Sequence, residues 1–171
     1  MMEMKDSFLA DIHLTQLDEL IDRDGEFAWY LQKEQVRGAD DGCYFSHMVY
    51  DFNQPKSKLY DPLIEIFKYY LKYVSWLNIT VNLQLRQETP KISVFHTDFS
   101  SDTDTVVTDE KKITTAIFYL NTNNGYTEFE GGDKIDCVRN RLIMFPANIP
   151  HRAIGQTDVI ERIVLNFNFI L

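Results

Sequence analysis

After Asn78 the chain changes character, and that change limits the fold more than any other feature. Residues 79–86 alternate strictly, with Ile79, Val81, Leu83 and Leu85 on one side and Thr80, Asn82, Gln84 and Arg86 on the other. A period of two puts each set on its own face of a strand. Further short runs follow at 92–98, 113–121, 126–130, 134–138, 141–145, 151–154 and 160–169, divided by turn residues such as Asn123-Asn124-Gly125 and Gly131-Gly132-Asp133. Such a succession of short strands predicts a sandwich or barrel.

The first part reads differently. Phe8, Ile12, Leu17, Leu20 and Ile21 are spaced for a helix over 8–22, which Asp24-Gly25 would end. A clearer helix is predicted over 60–77, with Asp61 as N-cap, Pro62 at the first helical position, and Leu63, Ile66, Phe67, Tyr70, Leu71 and Val74 at three- and four-residue intervals. Between them, Gly38 to Gly42 (GADDG) reads as a turn and 43–51 as a strand. No repeat or linker divides the chain. The expectation is one domain over 1–171, α+β but mainly β, with a helical part at 1–78 and a strand-built core at 79–171.

Composition removes several function classes. Lys and Arg number 17 against 26 Asp and Glu, a net charge of −9, which argues against broad attraction to nucleic acid or anionic membrane. There is no apolar run of ~18 residues to span a bilayer. The first residues show no signal-peptide pattern. Cys43 and Cys137 are too few for a disulfide framework, so a reducing, cytoplasmic setting is expected.

Chemistry concentrates in the strand-rich part. Of four histidines, His96 stands two residues before Asp98, so both side chains leave one face of a strand. His151 follows the apolar run from Leu142 to Phe145 and a Pro-containing turn. Two imidazoles and one carboxylate can hold iron on one side and leave the other positions open. The alternative is a satisfied polar residue at a strand end for His96 and a turn histidine for His151. In the last strand Ile163, Leu165, Phe167 and Phe169 alternate with Arg162, Val164, Asn166 and Asn168. The apolar face suits packing under the 60–77 helix, which aims Arg162 and Asn166 inward. An interior cation needs a partner, either a ligand carboxylate or an acid such as Glu161 or Asp158.

Taken in order, these features resemble the 2-oxoglutarate and Fe(II)-dependent dioxygenases, in their small prolyl-4-hydroxylase-like branch. The resemblance covers residues 79–169. His96-Thr97-Asp98 is similar to the family's His-x-Asp, Tyr119-Leu120-Asn121 to its Tyr-Leu-Asn strand, and Gly125-Tyr126-Thr127-Glu128-Phe129 to its Gly-Gly-x-Thr-x-Phe segment. Residues 140–146 resemble the strand before the distal histidine, here His151, and Arg162 stands at the basic position. The chain as a whole resembles small members from phage and bacterial genomes.

The resemblance implies a double-stranded β-helix, a jelly-roll or cupin-like fold, buttressed by N-terminal helices. It implies Fe(II) on His96, Asp98 and His151, and 2-oxoglutarate held by Arg162 with Gln84, Thr115, Tyr119 and Asn166. O2 would be the oxidant and ascorbate a stimulant. It also implies hydroxylation of an unactivated C–H bond in a peptide, protein or small molecule, in the host-cell cytoplasm if phage-encoded. Two positions depart from the family pattern. Val164 stands where a Ser or Thr is common, and Gln84 where a tyrosine often contacts the cosubstrate. A non-catalytic small-molecule or sugar-binding module on the same fold is the alternative, and a nucleic-acid demethylase the least favoured reading.

Residues 100–112 are polar and acidic. Ser100, Asp102, Asp104 and Asp109, with Glu110, form either a solvated loop or a lid over the site. His13 is expected on an exposed helix face, His47 as a polar strand residue, Cys137 in strand packing, and Trp29 and Trp76 in the core or at helix ends. Substrate identity and oligomeric state are not encoded in any of these motifs.

Overall fold

The computed structural model describes residues 2–21, 27–34, 42–99 and 113–171. The break expected at Asp24-Gly25, most of the GADDG turn and the acidic segment 100–112 lie outside them. In chain order the elements are β1 (Glu3–Lys5), α1 (Asp11–Leu20), β2 (Tyr30–Gln32), β3 (Tyr44–Asp51), β4 (Gln54–Pro55), α2 (Tyr60–Phe67) and β5 (Ser75–Leu85). β6 (Ile113–Tyr119), β7 (Tyr126–Phe129), β8 (Lys134–Asp136), β9 (Arg141–Pro146), β10 (His151–Ile154) and β11 (Glu161–Ile170) follow.

Among the described residues the strands form two antiparallel sheets. The major one runs β1-β9-β6-β11-β5-β3-β2, with β4 paired to β3, and the minor one runs β10-β7-β8. The two sheets face each other as a double-stranded β-helix, and α1 and α2 cover the outer face of the major sheet. That arrangement follows from the alternation in β5 and β11. Ile79, Val81, Ile163, Leu165, Phe167 and Phe169 are buried in one core with Leu17 of α1 and Leu63, Ile66 and Phe67 of α2. Phe67 lies 4.7 Å from Phe167 and 5.6 Å from Phe118, ring centre to ring centre. Each such buried side chain stabilises by about 1.5–3 kcal/mol. The opposite faces of β5 and β11 look into the space between the sheets. No helix among the described residues is long and apolar enough to cross a membrane.

The helix expected over 60–77 stops at Phe67, and Leu59 rather than Asp61 is its N-cap. Asp61 lies in the first turn. The reason is tertiary. Ser75 and Trp76 pair with Ile170 and Phe169 of β11, so β5 claims residues that the helical spacing had also suited. Val74 is exposed as a result. The helix expected at 8–22 is confined to Asp11–Leu20. His13 is not free on an exposed face, because its Nδ1 lies 2.6 Å from the Tyr70 hydroxyl. The strand expected over 92–98 reduces to isolated bridges, Ile92 to Ile154 and His96 to His151. The part before residue 79 carries β1 to β4 as well as both helices.

Candidate metal centre and cosubstrate pocket

His96 and His151 come together through their backbones. The two residues exchange both N–H···O bonds, at 3.0 and 2.9 Å, which sets their rings 4.6 Å apart. Each ring is turned by the same local device. Nδ1 of His96 lies 3.2 Å from the Val94 carbonyl, and Nδ1 of His151 lies 3.0 Å from the Ile149 carbonyl. A carbonyl only accepts, so both Nδ1 atoms carry a proton and Nε2 is the nitrogen of each ring left to ligate. Asp98 completes the cluster, with its Oδ1 3.8 Å from each Nε2. The three ligand atoms lie within 4.8 Å of one another. Burial pushes the His151 pKa below its ordinary value, against the pull of the Asp98 carboxylate. The ring is therefore neutral and ligand-ready near neutral pH.

Asp98 is itself oriented. Thr115 Oγ1 donates to its Oδ2 at 2.7 Å, and Asn168 Nδ2 donates to the same oxygen at 2.8 Å and to Thr115 Oγ1 at 2.9 Å. Both bonds fall on Oδ2, leaving Oδ1 facing the two imidazoles. Two imidazoles and one oriented carboxylate on one side of a common point are the donor set of a facial triad. Loss of such an outer hydrogen bond typically costs 10–100-fold in metal affinity. Thr115→Val should therefore weaken Mn(II) binding by roughly that factor while the fold persists, which metal titration of the two proteins would measure.

A cavity of about 660 Å³ opens beside the cluster, between the two sheets. Gln84, Arg162, Val164 and Asn166 line it from the major sheet, and Thr127 and Ala153 from the minor one. Arg162 is 4% exposed, and its Nε donates to Cys137 Sγ at 2.9 Å. Its guanidinium carbon lies 5.9 Å from the centre of the Tyr119 ring. Among the described residues no carboxylate pairs with Arg162. Both Asp158 oxygens are taken by backbone amides, of Asn124 and of Val159. Gln84 Oε1 and Asn166 Oδ1 are buried without a hydrogen-bond partner. An unpaired interior cation is costly, and a ligand carboxylate would offset it; the two bare carboxamide oxygens accept only, so they call for a donor instead. The buried guanidinium and the His-Asp-His cluster on one cavity thus fit a ligand that carries a carboxylate.

The predicted residues separate by position. His96, Asp98, His151, Arg162, Gln84 and Asn166 all face the cavity. Thr115 and Tyr119 stand behind it. Thr115 is fully buried against Asp98, and the Tyr119 hydroxyl shares a 2.7 Å bond with Thr127. Ser100, Asp102, Asp104 and Asp109, expected as a lid, lie outside the described residues. His47 faces away from the cluster, its Nε2 2.7 Å from the Ser57 hydroxyl. Arg86 lies past the end of β5 and is exposed. Sequence reasoning missed Asn168 and the contact of Cys137 with Arg162. The alternation in β11 could have flagged Asn168, which shares a face with Arg162 and Asn166.

The fold is the double-stranded β-helix that 2-oxoglutarate and Fe(II) oxygenases also have. No protein-family model and no curated relative matches the sequence. Solved structures do match in fold. A prolyl-4-hydroxylase from Pseudomonas putida aligns with a TM-score of 0.61 at 17% identity, over 99% of this chain and 91% of that one. A prolyl hydroxylase from Trichoplax adhaerens, in complex with a hypoxia inducible factor oxygen degradation domain peptide fragment, gives 0.63 at 12% identity, over 99% and 83%. The non-heme alpha ketoglutarate-dependent epimerase SnoN, from nogalamycin biosynthesis, gives 0.64 at 13% identity, over 99% and 77%. The likeness to this superfamily, prolyl-4-hydroxylase-like members included, holds at the level of the fold.

Proposed function

We propose that the chain is an Fe(II)- and 2-oxoglutarate-dependent dioxygenase that hydroxylates an unactivated C–H bond. The observation that carries the reading is the pairing of two features across one cavity. One is an open-sided cluster of two histidines and a carboxylate. The other is a buried arginine with no carboxylate partner among the described residues. His96, Asp98 and His151 would hold Fe(II), and Arg162 would take the far carboxylate of 2-oxoglutarate. Gln84 and Asn166 supply carboxamides to the same pocket. Bound there, iron and cosubstrate supply the oxidising power for C–H hydroxylation, with O2 consumed and 2-oxoglutarate converted to succinate and CO2. The chain's own contribution is positional. Val94 and Ile149 fix the ring tautomers, Thr115 and Asn168 aim the carboxylate, and the two sheets exclude bulk water from the guanidinium.

The substrate is organic and either a peptide or a small molecule. Fold relatives of both kinds exist, one solved with a peptide and one from nogalamycin biosynthesis. Two unpaired cysteines, one exposed and one buried, suit a reducing compartment in which iron stays ferrous. The test is anaerobic loading with Fe(II) and 2-oxoglutarate, then admission of O2 and detection of succinate. Succinate formed only with all three present supports an oxygenase. Metal and 2-oxoglutarate binding with no succinate, across panels of peptides, sugars and amino acids, would instead make the chain a binding module.

A further inference from the structure

We propose that Cys137 is a positioning residue for the cosubstrate arginine: its sulfur takes the Nε–H of Arg162 and turns the two terminal nitrogens toward the cavity. The guanidinium then meets the far carboxylate of 2-oxoglutarate end-on. The inference rests on the reading above, in which Arg162 holds that carboxylate. A guanidinium can offer a carboxylate two parallel N–H groups in two ways: side-on through Nε and one terminal nitrogen, or end-on through both terminal nitrogens. The 2.9 Å contact from Nε to Cys137 Sγ occupies the side-on edge.

The sulfur is a fixed acceptor. Cys137 is 1% exposed, its N–H donates to the Gly125 carbonyl at 3.1 Å, and its carbonyl accepts from Asn123 N–H at 3.1 Å. Burial pushes the thiol pKa up, so the group is a neutral thiol. The arginine stem is seated by the same turn. A Cβ on Gly125 would lie 3.2 Å from Arg162 Cδ and 2.7 Å from the Ile154 carbonyl. Only glycine leaves that channel open. Gly125 and Cys137, tied by a backbone bond, thus hold the side chain from Cδ to Nε. Val164, two residues along β11, has no hydroxyl to share the task.

The test compares Cys137→Ala, Cys137→Val and Cys137→Ser with wild type. 2-Oxoglutarate binding is measured by calorimetry with Mn(II) saturating and without turnover, and melting temperature is measured without ligand. Loss of an orienting hydrogen bond of ordinary strength corresponds to about 3- to 10-fold. Alanine and valine remove the acceptor and should weaken 2-oxoglutarate by that factor, with Mn(II) affinity unchanged. Serine keeps an acceptor and should restore affinity to within about 2-fold whatever its melting temperature, since affinity here depends on the acceptor. Valine leaves no cavity and adds only about one methyl group, so it carries the comparison if alanine fails to fold. Wild-type affinity in the valine variant, or affinity that merely tracks melting temperature across the three, overturns the positioning role. Failure of wild type itself to bind 2-oxoglutarate overturns the oxygenase reading beneath it.

Discussion

His151→Ala is expected to abolish Fe(II)-dependent turnover of 2-oxoglutarate while the chain stays folded. The backbone pairing with His96 does not involve the ring, so β10 keeps its place. The lost imidazole is one of three donors in the cluster. Removing a mere outer-shell partner already costs about 10–100-fold in metal affinity, so loss of a donor should exceed 100-fold. The ring also packs against Phe145 at 4.8 Å and Phe129 at 6.1 Å, so some thermal stability will go with it. His96→Ala should have the same catalytic effect with a smaller loss of stability, because His96 is only half-buried. Asp98→Ala should retain some metal but lose hydroxylation. Succinate formation, Mn(II) titration and far-UV circular dichroism on the three variants check this. Near wild-type turnover in either histidine variant would sink the assignment.

Arg162→Ala is expected to raise the apparent 2-oxoglutarate constant by roughly 30-fold or more with iron saturating. Truncating one side of a buried, hydrogen-bonded charge pair costs about 2–5 kcal/mol, and each 1.4 kcal/mol is tenfold. Fe(II) binding should be nearly unchanged, since the guanidinium is not among the clustered ligand atoms. Ligand-free stability should fall little, because the variant removes a buried cation with no carboxylate partner among the described residues. Arg162→Lys should recover only part of the loss, as an ammonium lacks the planar fork and cannot use the Cys137 contact in the same way. An unchanged constant in Arg162→Ala would move the carboxylate to Arg152. That residue also lines the cavity but is already bonded to Glu128 at 2.7 Å.

Local pattern was enough to read the two faces of the strands. The alternation in 79–84 and 162–169 separated the core set from the cavity set, whereas Leu85 and Arg86, which continue the same pattern, are exposed at the end of β5. Arg162, Gln84 and Asn166 were legible as inward residues before any neighbour was known. His96-Thr97-Asp98 was equally legible, because two residues of extended chain return a side chain to the same face.

What the sequence could not show was contact across register. Helical spacing continues through Val74, yet the ladder to β11 ends α2 at Phe67, because pairing ten residues of β11 outweighs a few tenths of a kcal/mol of local propensity. Thr115 and Asn168 meet at Asp98 from 17 and 70 residues away, and Cys137 reaches Arg162 across 25. The sequence by itself determined which faces of β5 and β11 look into the cavity. Only the tertiary structure decided which of them aim the others, since strand register and sheet closure set those distances and no local periodicity records them.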